Sequence, residues 1–388
     1  MTDPDASDFV FTFSYETYND AVRREMMRPP DRILAGLMAS PKVRKLLVAN
    51  PYRSVASSVA RRVLNTEAAF PTSTTQSLHS PLRLKRTDSV EPAATIKDFR
   101  GYDRSLRRAS RRAGLHVPAV ITTNPLTAAF SPFAWAGPVT YFGRDDWLST
   151  GAREDYWPAF KAAYEQISYS ETAVVAVSQP IIDRIQPRGP YAVVPNGVEP
   201  NEWLPESVEP PAWFAALPAP RAVYVGTIDT RLDVDGLENL ARRKPEYTVV
   251  LLGPVPDPSY LDRLTVLPNI YVHPSVGRAE LVATLRHAEV SLVAHVRTRL
   301  TEAMSPLKVF EYLAAGSPVL SVDLPPIRGL GPRVTLVPSV VDFADVIDDC
   351  LAMGRTPEAE RQLFIEENSW ASRHRTIMRI ATRSVVPH

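Results

Sequence analysis

Cysteine is nearly absent from this 388-residue chain: the single one, Cys350, excludes an internal disulfide framework and fits a reducing cytoplasm. Long apolar runs are missing as well. No eighteen consecutive apolar residues occur, so no segment is expected to cross a membrane. The first ten residues, MTDPDASDFV, hold three aspartates and no basic residue, which argues against a secretory signal. No G-x-G-x-x-G follows a strand-like run, which disfavours a dinucleotide-dependent dehydrogenase. The seven histidines are scattered, and no D-x-D lies between apolar strands, so no metal site is expected.

What is present reads as globular. Apolar residues make up 45% and charged residues 22%, ordinary values for a packed protein. The length exceeds one usual core, so two domains are expected. Apolar runs at Phe9–Phe13, Lys45–Ala49, Ala119–Thr123, Val139–Phe142 and Ala173–Val177 read as buried parallel strands, with helices about Arg32–Met38, Lys97–Ala113 and Trp157–Ser168 between them. The Ser-, Thr- and Pro-rich stretch Asn65–Thr95 reads as a long surface loop with one short strand at Leu82–Leu84. Beyond a proline-rich linker, Glu199–Pro220, a second series has strands at Ala222–Ile228, Thr248–Leu252, Ile270–His273, Val290–Ala294, Val319–Val322 and Val334–Val337. The expected class is α/β, with two Rossmann-like doubly wound domains facing each other across a cleft. The expected division is 1–198, a linker 199–220, 221–356, and a helical tail 357–388.

The net charge of +1 conceals an asymmetry: through Pro190 there are 25 Lys and Arg against 19 Asp and Glu, and beyond it 19 against 24. Arg100, Arg104, Arg107, Arg108, Arg111 and Arg112 recur at helical spacing, with Phe99, Tyr102, Leu106, Ala109 and Ala113 on the other side. Two readings stand. One is a helix packed on a sheet with a solvated basic face; the other makes Arg104, Arg107, Arg108 and Arg111 a patch for an anionic membrane surface or a lipid-linked acceptor. Nucleic acid is the weaker option, because no binding motif accompanies the charge.

The densest signal is Ser305–Gly316, SPLKVFEYLAAG, followed by an apolar strand. Pro306 at the first helical position gives up an amide that has no partner there, leaving the N–H groups of Leu307 and Lys308 to face an anion. Lys308 adds positive charge at that helix mouth. Glu311, three residues on and on nearly the same face, can accept hydrogen bonds from vicinal sugar hydroxyls. Phosphate donors beside a sugar-reading carboxylate suggest a nucleotide diphosphate. The plainer alternative is an amphipathic helix with a proline start and a glycine stop.

Pro306, Leu307, Lys308, Glu311, Tyr312, Leu313, Ala314, Ala315, Gly316, Pro318 and Val319 match the PLK-x-x-EYLAAG-x-PV pattern of GT-B-fold retaining glycosyltransferases of family four, in particular the branch of teichuronic acid and exopolysaccharide synthesis. Tyr191–Val198 (YAVVPNGV) resembles the same family's passage between domains, and Ala222–Arg231 (AVYVGTIDTR) its first donor-domain strand and glycine loop. Two positions depart from the pattern. Ala303 stands where relatives have the first glutamate of a pair, and Thr227 where many have a basic residue, whose charge Arg231 replaces.

The resemblance implies a GT-B fold with a C-terminal helix crossing back to the N-terminal, acceptor-binding domain. It implies transfer of a sugar from a nucleotide diphosphate sugar to a saccharide or lipid-linked hydroxyl, without cofactor or metal, in the cytoplasm or at the inner membrane face. Gly226, Thr227, Arg231, Ser305, Pro306, Leu307, Lys308 and Glu311 would bind the donor. Lys308 and Arg231 would meet the charge on the leaving diphosphate, and Asp145 or Asp146, after the strand Val139–Phe142, would orient the acceptor hydroxyl or cap the following turn. Tyr15, Glu16, Thr17, Tyr18 and Asn19 are expected beneath the transferred sugar, and Arg28–Pro29 resembles an arginine–proline element of this branch. His273 and His295, at strand ends, read as structural. A nucleotide-sugar epimerase on the same fold and a non-catalytic GT-B binding module are the alternatives.

Overall fold

The computed structural model describes residues 6–54, 69–83, 89–204 and 208–383. The chain forms two compact units, Met1–Pro195 with Arg373–His388, and Asn196–Ser372.

In the first unit, strands β1 (Ser7–Thr12), β2 (Val43–Ala49), β4 (Gln76–His79), β6 (Ala119–Thr122), β7 (Val139–Gly143), β8 (Ala173–Ala176) and β9 (Tyr191–Val193) make one parallel sheet in the order β4-β2-β1-β6-β7-β8-β9. Phe9, Val10 and Phe11 of β1 are fully buried, as a central strand covered on both faces requires. The order reverses between β1 and β6. There Thr12 Oγ1 donates to Thr122 Oγ1 at 2.7 Å, and Asn124 Nδ2 to the Ser14 carbonyl oxygen, tying together the loops that leave the two strands.

The expected strands and helices of this unit are observed to within a few residues, the short strand expected at Leu82–Leu84 among them as far as Arg83, but the stretch Asn65–Thr95 also holds a strand that was not expected. Residues 65–68 and 84–88 lie outside the described residues. Between them Gln76–His79 pairs with β2 as the sheet's edge, and β5 (Leu82–Arg83) pairs with β3 (Arg53–Ser54). An edge strand is bonded on one side and only half-buried, so it tolerates the polar sequence QSLH that gave no strand pattern. The basic helix also begins earlier, at Pro92, with Glu91 accepting from the Ala93 and Ala94 amides. It runs to Arg112 and packs Tyr102, Leu106 and Ala109 against Val10, Leu47 and Val120, while the six arginines are exposed.

The second unit is a six-stranded parallel sheet of β10 (Arg221–Val225), β11 (Thr248–Leu252), β12 (Ile270–His273), β13 (Val290–Val293), β14 (Val319–Val322) and β15 (Val334–Val337), in the order β12-β11-β10-β13-β14-β15. This is the doubly wound arrangement whose switch point, between β10 and β13, receives ligands. Residues 199–220, expected as a linker, belong to this unit instead. Trp203 and Phe214, on the short helices Pro200–Trp203 and Ala212–Ala215, are fully buried in its core. Their aromatic side chains cannot stay in solvent cheaply, so a proline-rich segment becomes a core wall.

Candidate functional site

At the switch point of the second unit, the turn after β10 runs close against the turn after β11. A Cβ on Gly253, at φ +150°, would lie 2.1 Å from the Gly226 carbonyl oxygen, so only glycine permits this approach. Gly226 itself, at φ +139°, leaves the space beside the Lys308 ammonium.

Lys308 stands on the helix Leu307–Ala315. Pro306 is its N-cap, with ψ of 111°, and not its first helical residue as expected; the amides of Leu307 and Lys308 precede the first intrahelical donor, Val309, which bonds the Pro306 carbonyl oxygen. Asn196 holds the entry: its Nδ2 donates to the Ser305 carbonyl oxygen at 2.6 Å, joining the PNG turn to the SPLK motif. Tyr312 locks the helix to the sheet, its hydroxyl accepting from the Val225 amide at 2.8 Å. Gly316 ends the helix at φ +85°, and Arg361 and Arg355 donate to the carbonyl oxygens of Ala314 and Ala315, neutralising its C-terminal end.

The Lys308 side chain turns toward β13. Its Nζ lies 3.1 Å from His295 Nε2 and 3.7 Å from the centre of the Tyr224 ring. Burial, then the charge of Arg231, pushes its pKa well below the ordinary lysine range; burial and the nearby Lys308 and Arg231 do the same to His295. Arg231, in the loop after β10, makes a two-pronged ion pair with Asp229, at 2.9 and 2.7 Å. The Thr227 carbonyl oxygen accepts from the Tyr224 hydroxyl. Gly226, Thr227, Arg231 and Lys308 therefore share one switch point, as the motifs suggested. His295, read from the sequence as structural, is drawn into the same cluster.

Glu311 is buried and ion-paired with Arg278, whose guanidinium also bonds Glu202 at 2.6 and 2.9 Å. The carboxylate expected to read sugar hydroxyls thus already shares one oxygen with a cation. Arg278 carried no sequence signal, because its partners lie 76 and 33 residues away.

In the first unit, Asp146 is buried and accepts from the Ser149 hydroxyl at 2.5 Å and the Leu148 amide at 3.2 Å, the turn-capping arrangement of the plainer reading. Asp145 is more open, with Arg144 Nε at 2.9 Å. Arg144 Nη2 in turn bonds Glu16 at 2.6 Å, and Arg28 reaches the same carboxylate at 3.2 Å. Glu16 and Arg28, singled out separately in the sequence, join Arg144 in one ion-paired chain. Arg104, Arg107, Arg108 and Arg111 lie on the exposed side of their helix.

Two doubly wound parallel sheets with these crossovers define a GT-B-fold protein. Residues 235–379, from the first helix after β10 into the last helix of the chain, match the family described as glycosyl transferase-like. A protein of Bacillus subtilis (strain 168) assigned to teichuronic acid biosynthesis as a glycosyltransferase, TuaH, is 30% identical over 105 residues, 26% of this chain and 26% of that one. The match thus spans about a quarter of the curated relative's length. Among solved structures, sucrose-phosphate synthase from Thermosynechococcus elongatus superposes with a TM-score of 0.68 at 13% identity, over 97% of this chain and 98% of that one. An alpha,alpha-trehalose 6-phosphate synthase from Burkholderia multivorans gives 0.67 at 12%, over 97% and 98%. Anabaena HepE in complex with UDP and glucose gives 0.63 at 12%, over 97% and 100%. At such identities what is shared is the fold.

Proposed function

We propose that this protein is a glycosyltransferase that moves a sugar from a nucleotide diphosphate sugar to an acceptor hydroxyl, in cell-surface polysaccharide or glycolipid synthesis. The observation that carries this reading is Lys308: a lysine on a helix N-terminus, at the switch point of a doubly wound sheet, inside the glycosyl transferase-like region. Lys308, Arg231 and the amides of Leu307 and Lys308 meet the negative charge that builds on the departing diphosphate. A phosphate beside Lys308 offsets the desolvation that depresses its pKa, so the amine is protonated in the complex. Glu311, with Arg278 fixing one oxygen, turns the other toward the ribose. Asp145 is the better acceptor contact of the aspartate pair, because Asp146 is committed to Ser149 and Leu148. Retention of configuration follows the resemblance to family four. UDP, seen with HepE, is the first donor nucleotide to test. The face carrying Arg104, Arg107, Arg108 and Arg111 rests on the anionic membrane surface where a lipid-linked acceptor lies.

Thermal stabilisation should be screened with UDP, GDP and dTDP and their sugars. A nucleotide at 100 times its Kd adds about 2.7 kcal/mol. With the donor so identified, Lys308→Ala is expected to lower turnover by about 10²–10³, the range for losing one preorganised charge donor, whereas Glu311→Ala chiefly raises the donor KM. Donor turnover without any acceptor favours the epimerase; wild-type kinetics in both variants removes the donor site from this helix.

A further inference from the structure

Lys308 and His295 meet nitrogen to nitrogen, Nζ to Nε2, at 3.1 Å, with His295 buried and Lys308 half-buried. At that separation a hydrogen bond holds only if one proton lies between the two atoms: an ammonium donates to a bare Nε2, or an Nε2–H donates to a neutral amine. Two cations cannot share the contact. The pair therefore carries one positive charge or none, never two.

The surroundings leave this contact to set the histidine's tautomer. The Tyr224 hydroxyl, 3.4 Å from the same Nε2, donates to the Thr227 carbonyl oxygen at 3.3 Å. His295 Nδ1 is buried and has no hydrogen-bond partner among the described residues. An imidazole that accepts at Nε2 carries its proton at Nδ1, and one that donates at Nε2 has a bare Nδ1. No second bond favours either form, so the tautomer follows the charge on the amine. That charge answers to its neighbours: Arg231 and Asp229 in the loop after β10, Tyr224 on β10 with Tyr260 beyond it, and Glu311 and Tyr312 on the helix of Lys308. Burial and Arg231 favour the uncharged amine. Beside Nζ, Gly226 leaves open a space where a Cβ would stand 3.0 Å from the amine. An anion placed there favours the ammonium.

We propose that His295 is a positioning residue for Lys308, and that the pair takes up one proton when the donor's diphosphate binds. In the free chain the Nε2–H donates to the neutral amine. As the anion enters, a proton from solvent goes to Nδ1 while the Nε2 proton passes to Nζ. The new ammonium then donates to the bare Nε2 and to a phosphate oxygen, and no other bond changes. The identity of the anion rests on the glycosyltransferase reading; the state of the pair in the free chain does not.

The test is calorimetric titration of the full chain with UDP, in buffers of different ionisation enthalpy between about pH 7 and 9, where the terminal phosphate is already mostly ionised. Proton uptake is expected, close to about one per UDP at its maximum, and it should vanish in Lys308→Met. His295→Leu removes the acceptor and is expected to weaken UDP binding at least about tenfold. His295→Gln, whose Oε1 accepts but cannot donate, is expected to restore affinity to within about threefold. It should also cut the uptake to about half or less, because such an acceptor favours the charged amine before UDP arrives. No uptake by the wild type at any of these pH values overturns the proposal. So does uptake unchanged in His295→Gln, and so does equal affinity of the Leu and Gln variants, which marks a packing role. Nitrogen-15 shifts of His295 in the free chain should show a neutral imidazole protonated at Nε2 at about pH 6, where an ordinary histidine is mostly charged; an imidazolium there overturns the proposal whatever UDP does. Failure of the wild type to bind any nucleotide instead sinks the glycosyltransferase reading, and the nitrogen shifts still decide the state of the pair.

Discussion

Glu16 shows how strongly two guanidiniums govern a carboxylate. Burial alone would raise its pKa, but the charge of Arg144, a backbone hydrogen bond, the Arg144 hydrogen bond and the more distant Arg28 outweigh burial and hold it at about 2. Because the folded value lies below the unfolded one of 4.5, the group's stabilisation is fully present above pH 4.5 and is lost as pH falls toward 2. A shift of that size corresponds to about 3 kcal/mol. Denaturant melts of wild type and Glu16→Gln should therefore differ at pH 7 and converge by pH 2; parallel curves would show that the pairing with Arg144 contributes nothing to folding. Glu16, just after the first strand, and Arg28, in the arginine–proline element, were visible in the sequence. Their pairing, with each other and with Arg144, was not, because it joins positions 12 and 128 residues apart. Lys308 illustrates the same limit: its motif is local and readable, while its contact with His295 depends on β13 lying next to β10 and on Gly226 having no side chain.

Among the elements, the helix Pro92–Arg112 is where pattern and surroundings agree best. Its apolar side meets β1, β2 and β6 and its arginines face outward, as a 3.6-residue period requires. The period leaves undecided what, if anything, the basic side touches. If it meets anionic lipid, replacing Arg104, Arg107 and Arg111 by glutamine should abolish most sedimentation with phosphatidylglycerol vesicles at low salt, and raised salt should do the same to the wild type. The melting temperature should barely move, since none of the three side chains is buried. A wild type that stays in the supernatant at low salt leaves the face merely solvated. Elsewhere the strands with continuous apolar runs were legible, and the edge strand Gln76–His79 was not, because one-sided pairing demands little of its side chains.

At the scale of the whole molecule, the last helix, Trp370–Thr382, begins in the second unit, and its residues from Arg373 onward count with the first. Ile377, Met378 and Ala381 are buried there, His374 closes over Gly36, and Arg383 donates to the Glu171 carbonyl oxygen. Ending the chain at Ser372 removes this burial, worth roughly 1.5–3 kcal/mol each for the Ile and Met side chains. We expect calorimetry of such a chain to show the first unit melting about 10 °C lower, with the second unit's transition, which rests on its own core, unchanged. An unshifted first transition would mean that the tail braces nothing. Sequence alone determined the α/β class, nearly every central strand and the helix that Lys308 stands on, because fully buried parallel strands and a helix bounded by proline and glycine leave continuous local patterns. Only tertiary structure decided that Arg278 holds Glu311, that the linker's Trp203 and Phe214 are core, and that His295 meets Lys308. Each of those facts is a meeting of residues far apart in the chain, and a spacing in sequence carries no distance in space until the sheet order is known.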